Sequence, residues 1–395
     1  PPTGGDDGDG DNGGSIDGND DGTDIGSDND FGEDDKGEIN RTPDSCPKYA
    51  YNLLPDNMKK AYDILKAGIM SFEAEVILDN SGLTTEDVFK VIEYIRRDSP
   101  EIFWLGNNTA MSDSTTHIVT SVKFDYCMTK ATAISRQKRI DESLKPFFDS
   151  VNGEMSDYAV VKKIYENIIG LVDYDSLGLD ESKKMPKGNK PDDLRSIYGV
   201  FVKKKAVCAG YAVATQYLLN RVGIECAYIR GDTTEGYHAW NLLRLEGDYY
   251  YIDTTWGDRS NTDKSKSREG MNYDYFCITT KELLIDHTPD ADFPVPECTA
   301  TKCNYHVRNG LLLSEYSFDA LKRIVLKHVG QGNFYVSLKF TDEKTYDIAH
   351  KSIIDGGDLN RVLQEANSRN KRVGTGFSYI EGKEKMKLDL LLKKA

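Results

Sequence analysis

Apolar residues recur at helical spacing along Asp56 to Met70 (DNMKKAYDILKAGIM), where Met58, Ala61, Tyr62, Leu65 and Ile69 fall on one face. Phe72 to Leu78 alternates apolar and polar positions with the period of a strand. Thr84 then suits an N-cap, with Asp87 in the turn after it, and predicts a helix running to about Arg97. Asp98-Ser99-Pro100 stops that helix, and Glu101 to Leu105 (EIFWL) resumes as an extended apolar run. A strand is expected over Thr116 to Tyr126, and helices over Lys130 to Phe148 and Tyr158 to Ile169. Past a polar loop, Glu181 to Asp193, the stretch Ala206 to Asn220 (AVCAGYAVATQYLLN) reads as a buried helix. Val207, Tyr211, Ala214, Leu218 and Leu219 share a face there, and Gly223 ends the element. Tyr237 to Leu245 (YHAWNLLRL) and Tyr249 to Thr254 (YYYIDT) are strands joined by a turn at Glu246-Gly247-Asp248. The pattern closes on a strand over Asn333 to Phe340, a helix over Asp358 to Asn367 and a strand over Val373 to Ile380, a β-α-β ending.

Helices and strands in this mixed order predict an α+β protein. At 395 residues the chain is long enough for two or three units with cores of their own. We expect an acidic Gly/Asp-rich linker over 1–43, an N-terminal mixed α/β unit over 44–155, a central unit over 156–295 and a small C-terminal domain over 296–395. No apolar run approaches the roughly 18 residues needed to cross a bilayer, and the start lacks the basic–apolar–small pattern of a signal peptide. A soluble protein, or a mature form with its leader removed, is expected.

The formal charge of −15 sits almost wholly in the first 38 residues, which hold twelve Asp and two Glu against one Lys. Such a segment has too few apolar groups to offset its ordering entropy, and we expect it to be disordered. Its Asp9 to Asp20 stretch echoes a calcium loop, but no helix-forming sequence flanks it and chance explains it. The rest of the chain is close to neutral, without the basic footprint of a nucleic-acid binder.

Seven cysteines lie at 46, 127, 208, 226, 277, 298 and 303, with no C-x-x-C pair. Their spacing suits neither a zinc set nor one defined disulfide pattern: three bridges or six buried thiols would both fit beside one working thiol. Cys127 and Cys226 stand in apolar runs and read as small buried hydrophobes, while Cys298 and Cys303 flank a loop they could bridge.

Cys208 is distinctive because it opens a helix. The partial positive charge of a helix N-terminus favours thiolate over thiol, and free backbone N–H groups there can hold a developing oxyanion. Gly210 would leave room for a substrate backbone. A nucleophile needs a base, and the base an orienting partner. With a two-residue turn at Glu246-Gly247, Asp253 lies two positions from direct opposition to His238, on the same sheet face. One imidazole nitrogen can then donate to the carboxylate while the other faces the thiol. A lone buried Cys, a strand His and a strand-end Asp are each usually structural; their order and spacing together make a site. Trp240 and Trp256 read as core or cleft wall. His117, His287, His306, His328 and His350 have no evident partners and read as structural.

VCAGYA, GYHAWN and YYYIDTTW resemble, in that order, the Cys, His and Asp boxes of the transglutaminase-like superfamily. RSIYGVFVKKKAVCAGY and LLNRVGIECAYIRG resemble the segments around the nucleophile in the bacterial branch, and PEIFWL (Pro100 to Leu105) resembles an N-terminal portion of bacterial cell-surface members. The resemblance implies a papain-like transglutaminase core with Cys208 as nucleophile, His238 as general base and acid, and Asp253 orienting His238. Arg195 stands where several relatives carry a Gln that could serve an oxyanion hole. No cofactor and no metal are implied, and the acidic clusters of calcium-dependent members have no counterpart in the sequence. The implied activity is acyl transfer on amide bonds of protein or cell-wall peptide through a thioester, with hydrolysis favoured over cross-linking. The rival is a noncatalytic surface adhesin or wall-binding scaffold. An extracellular or cell-surface setting follows, with anchoring through the N-terminal tail and no spanning segment.

Overall fold

A computed structural model describes residues 46–151, 153–177, 191–258, 271–370 and 373–395. The acidic segment with its calcium-loop echo, and the polar loop as far as residue 190, lie outside the described residues.

The N-terminal elements are α1 (Tyr49–Asn52), α2 (Asp56–Ser71), β1 (Glu75–Ile77), α3 (Thr85–Asp98), β2 (Leu105–Ser112) and β3 (Val119–Tyr126). The strands form a sheet in the order β1-β3-β2. Thr84 opens α3 through a capping box with Asp87, as its position in the sequence predicts. The strand expected over Phe72 to Leu78 shortens to three residues. Phe72 takes a left-handed conformation to end α2 (φ 64°), so alternation starts only beyond it. The apolar run Glu101 to Leu105 is largely turn, with Ile102 N–H bonding the Ser99 carbonyl, and the strand follows it in the more polar LGNNTAMS. Consecutive apolar residues gave no sheet-like alternation. Ile102, Trp104 and Leu105 are buried individually, Trp104 stacking on Phe72 at 5.4 Å.

Two helices follow, α4 (Lys130–Asp149) and α5 (Asp157–Leu171), then a short parallel pair β4 (Asp173–Tyr174) and β5 (Lys205–Ala206). Next come α6 (Cys208–Arg221), β6 (Cys226–Thr233), β7 (Gly236–Leu245), β8 (Asp248–Ile252), α7 (Thr280–Leu283) and β9 (His287–Pro289). The central sheet runs β8-β7-β6-β9 and is antiparallel throughout. Its two faces supply two cores. Ala227, Ile229, Trp240, Leu242 and Tyr251 pack with the N-terminal elements. Cys226, Leu243, Leu245, Tyr250 and Ile252 pack with α5, α6 and the C-terminal elements.

Those C-terminal elements are α8 (Tyr305–Arg308), β10 (Leu312–Leu313), α9 (Phe318–Gly330), β11 (Tyr335–Phe340), α10 (Glu343–His350), α11 (Asp358–Asn370), β12 (Val373–Gly382) and β13 (Lys387–Lys394). The sheet order is β10-β11-β13-β12. The strands read as a β-α-β ending, β11 and β12, are therefore not neighbours: β13, which sequence patterning did not reveal, lies antiparallel between them. Its Lys387 is buried against Asp274 and Asp389, so a charge at a core position disguised the strand. The whole is α+β. All seven cysteines are free thiols, so neither a Cys298–Cys303 bridge nor any other forms.

Candidate active site

Cys208 is the first residue of α6 and is half-buried. Val207, the N-cap, supplies no side-chain acceptor. The Tyr174 hydroxyl on β4 neighbours Cys208 instead, and burial and the Cys208 side chain push this phenol up to about 12. Gly210 does not make room for substrate. A Cβ there would lie 2.4 Å from the Leu194 carbonyl, so the missing side chain admits the chain's own backbone. Arg195 pairs with Asp192 at 2.5 Å on a half-exposed turn.

His238 and Asp253 are placed by the β7–β8 hairpin. Glu246 (φ 51°) and Gly247 (φ 91°) make its turn with two left-handed residues, the form that matches strand twist. The resulting register pairs Asn241 with Ile252 and Leu242 with Tyr251. That alignment puts His238 and Asp253 on one face as diagonal neighbours, and His238 Nε2 lies 2.7 Å from Asp253 Oδ2. Cys208 interacts with the same imidazole, and with Nε2 taken by Asp253, Nδ1 is the nitrogen left to face it. Burial alone would lower the His238 pKa. The charge and hydrogen bond of Asp253, with Cys208 adding to them, outweigh burial and raise it to about 10. Burial likewise opposes the Asp253 charge, yet the His238 and His287 rings hold its carboxyl well below the usual range. Trp240 and Trp256 stand 6.0 and 5.8 Å from the His238 ring and wall it in. Asn241 ties the hairpin to the helix, its amide donating to the Ala212 carbonyl of α6 and the Ala227 carbonyl of β6.

One residue read as structural sits inside this group. His287, fully buried, directs Nε2 to Asp253 Oδ2 at 3.2 Å and Nδ1 to Asp286 Oδ1 at 2.5 Å. No local pattern could reveal it, because β9 follows Asp253 by more than thirty residues and meets the site only through β6. Gly231 permits that meeting: it pairs with both His238 and Pro289, and a Cβ on it would lie 2.0 Å from the Thr288 carbonyl. The same three side chains, His238, Asp253 and His287, carry potential ligand atoms within 4.8 Å of one another. In the structure a single carboxylate oxygen lies between the two Nε2 atoms at hydrogen-bond distances, which a metal ion would have to displace. The loop Thr233 to Tyr237 is a tight hairpin end. The Thr233 hydroxyl bonds the Gly236 carbonyl, and Thr234 N–H bonds that of Asp286.

A thiol at a helix start and a carboxylate-backed imidazole are the groups that cysteine acyl transfer uses. Residues 146–254 match the sequence model of the transglutaminase-like superfamily, and the chain carries a domain of that superfamily there. It is similar to kyphoscoliosis peptidase of Mus musculus, 28% identical over 149 residues, which is 34% of this chain and 21% of that protein. The Homo sapiens kyphoscoliosis peptidase is 25% identical over 173 residues, 40% of this chain and 24% of that one. The chain thus spans about a fifth to a quarter of the length of these relatives. Among solved structures, a TGase crystal structure aligns with a TM-score of 0.28 at 16% identity, over 44% of this chain and 50% of the other. A protein from Cytophaga hutchinsonii described as a cysteine protease aligns with a TM-score of 0.23 at 14% identity, over 39% and 63%.

Proposed function

We propose that the protein is a cysteine-dependent acyl-transfer enzyme acting on amide bonds of protein or peptide, with Cys208 as nucleophile, His238 as base and acid, and Asp253 orienting His238. The observation that carries this reading is one imidazole held by Asp253 Oδ2 at 2.7 Å that also interacts with the cysteine at the first residue of a helix. Cys208 sulfur, its proton on His238, attacks the amide carbonyl carbon, and the oxygen becomes an oxyanion near the first-turn N–H groups of α6. His238 returns the proton to the departing nitrogen, the C–N bond breaks, and a thioester remains. Water, deprotonated by His238, then breaks the C–S bond and restores the thiol.

Hydrolysis is favoured over cross-linking. An amine must outcompete water at the thioester, which takes a shaped, partly dry acceptor site. The hairpin end before His238 faces solvent instead, with Tyr237 60% exposed and Glu235 exposed. The curated relatives are named as peptidases, which accords with hydrolysis. By composition the first 43 residues suit a polar spacer, and we place the enzyme at a cell surface; fractionation of cells with an antibody to the folded part tests that setting.

Three assays with Cys208→Ala as blank test the activity: casein with a fluorescent primary amine, peptidoglycan fragments, and iodoacetamide labelling near pH 6. The expected result is Cys208-dependent cleavage without amine incorporation, with Cys208 labelled first among the seven thiols. Incorporation of the amine would make the protein a cross-linking enzyme. No turnover with an unreactive Cys208 would leave a noncatalytic scaffold.

A further inference from the structure

Behind the pair proposed to do the chemistry lies a second histidine–carboxylate pair. The Asp253 carboxylate takes four contacts: His238 Nε2 at 2.7 Å and His287 Nε2 at 3.2 Å on Oδ2, Thr255 N–H at 2.7 Å and Trp256 N–H at 3.1 Å on Oδ1. His287 then reaches Asp286 Oδ1 with its other nitrogen at 2.5 Å. Asp286 Oδ2 accepts from the Tyr275 hydroxyl at 2.8 Å and pairs with Lys385 at 2.7 Å, on the β12–β13 connection. Both ring nitrogens of His287 therefore face carboxylate oxygens. An imidazole whose two nitrogens both meet acceptors is satisfied only when both carry protons. The series His238, Asp253, His287, Asp286, Lys385 then alternates in charge as far as the β12–β13 connection.

We propose that His287 is a positioning residue of the site, a buried imidazolium held by Asp286 that fixes the Asp253 carboxylate and offsets part of its charge. The inference rests on the acyl-transfer reading for its consequence, though not for its geometry. A lone carboxylate in a buried setting would bind the His238 proton tightly, and that proton has to leave for the departing amine. A second cation with its ring 5.6 Å from that of His238 loosens the hold. Trp240 and Trp256 lie against the His287 ring at 4.9 and 4.5 Å and Tyr275 at 5.5 Å, so the charged groups facing it are Asp253, His238 and Asp286, with Lys385 beyond. Burial works against a charge on His287, but its hydrogen bonds to Asp253 and Asp286 and their charges prevail, raising its pKa.

The test is nitrogen-15 NMR of histidine-labelled full-length protein, with His238→Gln and His287→Gln spectra to assign the two rings. The wild type is expected to show both His287 ring nitrogens protonated at pH 7. Asp286→Asn removes the charge that holds this cation yet leaves a hydrogen-bond partner for Nδ1. His287 should then become neutral, and the His238 titration should move up by about one pH unit or more as the opposing charge disappears. A purely structural role predicts the reverse, since a loosened site lets His238 drift down toward the value of a free imidazole. One bare nitrogen on His287 in the wild type, or a His238 titration that stays or falls in folded Asp286→Asn, would overturn the proposal. Should Asp286→Asn fail to fold, Lys385→Met and the wild-type spectrum still decide it. Removing Lys385 strengthens the Asp286 charge on His287, so its two protons should persist to higher pH, and their earlier loss would overturn the proposal. Failure of the acyl-transfer reading would appear separately, as an unreactive Cys208 beside a doubly protonated His287.

Discussion

Asp253 has an oxygen for each pair of donors, and that count decides what its replacement does. In Asp253→Ala, two imidazole nitrogens and the N–H groups of Thr255 and Trp256 lose their acceptor inside a buried pocket. Truncating one partner of a buried charge pair costs about 3–5 kcal/mol. Asp253→Asn keeps the shape and one acceptor oxygen, so a smaller loss is expected; urea unfolding of the two variants checks the order. The His238 pair also predicts a pH dependence. Its folded-state pKa is raised from 6.5 to about 10, so its stabilisation is fully present below about pH 6.5. It declines as pH rises through that window and is gone above about 10. The depressed Asp253 carboxyl reports the same contact from the other side and adds nothing separate. Over pH 6.5 to 10 the wild type should lose more stability than His238→Gln, by on the order of a few kcal/mol. Parallel curves would mean that the pair does not hold His238 charged. At this scale the sequence showed which residues could meet across one hairpin. His287, Tyr174 and Lys385 reach the site from β9, β4 and the β12–β13 connection, where no local spacing announces them.

Elements deliver these side chains, and glycine controls how closely they approach. β9 can lie beside β6 because Gly231 has no side chain; an alanine Cβ would meet the Thr288 carbonyl at 2.0 Å. Gly231→Ala is expected to displace β9, destabilise by about 1–3 kcal/mol and slow Cys208 alkylation as His287 leaves Asp253. Gly330→Ala is the control: it closes α9, has nothing within 4 Å of the added atom, and should be neutral or slightly stabilising. Thermal melts with iodoacetamide kinetics check both. If Gly231→Ala melts and labels like the wild type, the close approach has no importance. Element prediction from the sequence worked where a cap, a turn and a period agreed, as at Thr84 for α3, at Glu246-Gly247 for β7 and β8, and at Gly223 after α6. It failed where they conflicted. EIFWL is apolar without alternating and folds as turns, and Lys387 placed a charge where β13 has a core position.

Across the whole molecule the C-terminal sheet is joined to the central one by buried charge as well as apolar packing. Lys387 of β13 pairs with Asp274, and Asp253 N–H bonds the carbonyl of the next residue, Tyr275. Burial, aided by the Lys339 and Lys387 charges, outweighs the pull of Asp274 and leaves His306 neutral, its pKa lowered to about 4. Lys387→Met would strand the Asp274 carboxylate in the interior, at a cost of about 3–5 kcal/mol. Adding Asp274→Leu should recover part of that loss, because two apolar groups need no pairing while Asp389 still loses its contact with Lys387. A double-mutant cycle in urea measures the coupling, and simple additivity would show that the pair does not link the sheets.

Periodicity, caps and one hairpin register are properties of short stretches, since side-chain direction and strand pairing across a tight turn follow from local backbone geometry. The sequence by itself therefore determined the α+β class, a cysteine at the head of a buried helix, and a histidine and an aspartate sharing one sheet face. Tertiary structure alone decided the insertion of β13 between β11 and β12, the backbone that fills the space at Gly210, and the arrival of His287 behind Asp253. Each of those depends on segments tens of residues apart packing into one space, and the free energy that selects such a meeting is spread over the whole core.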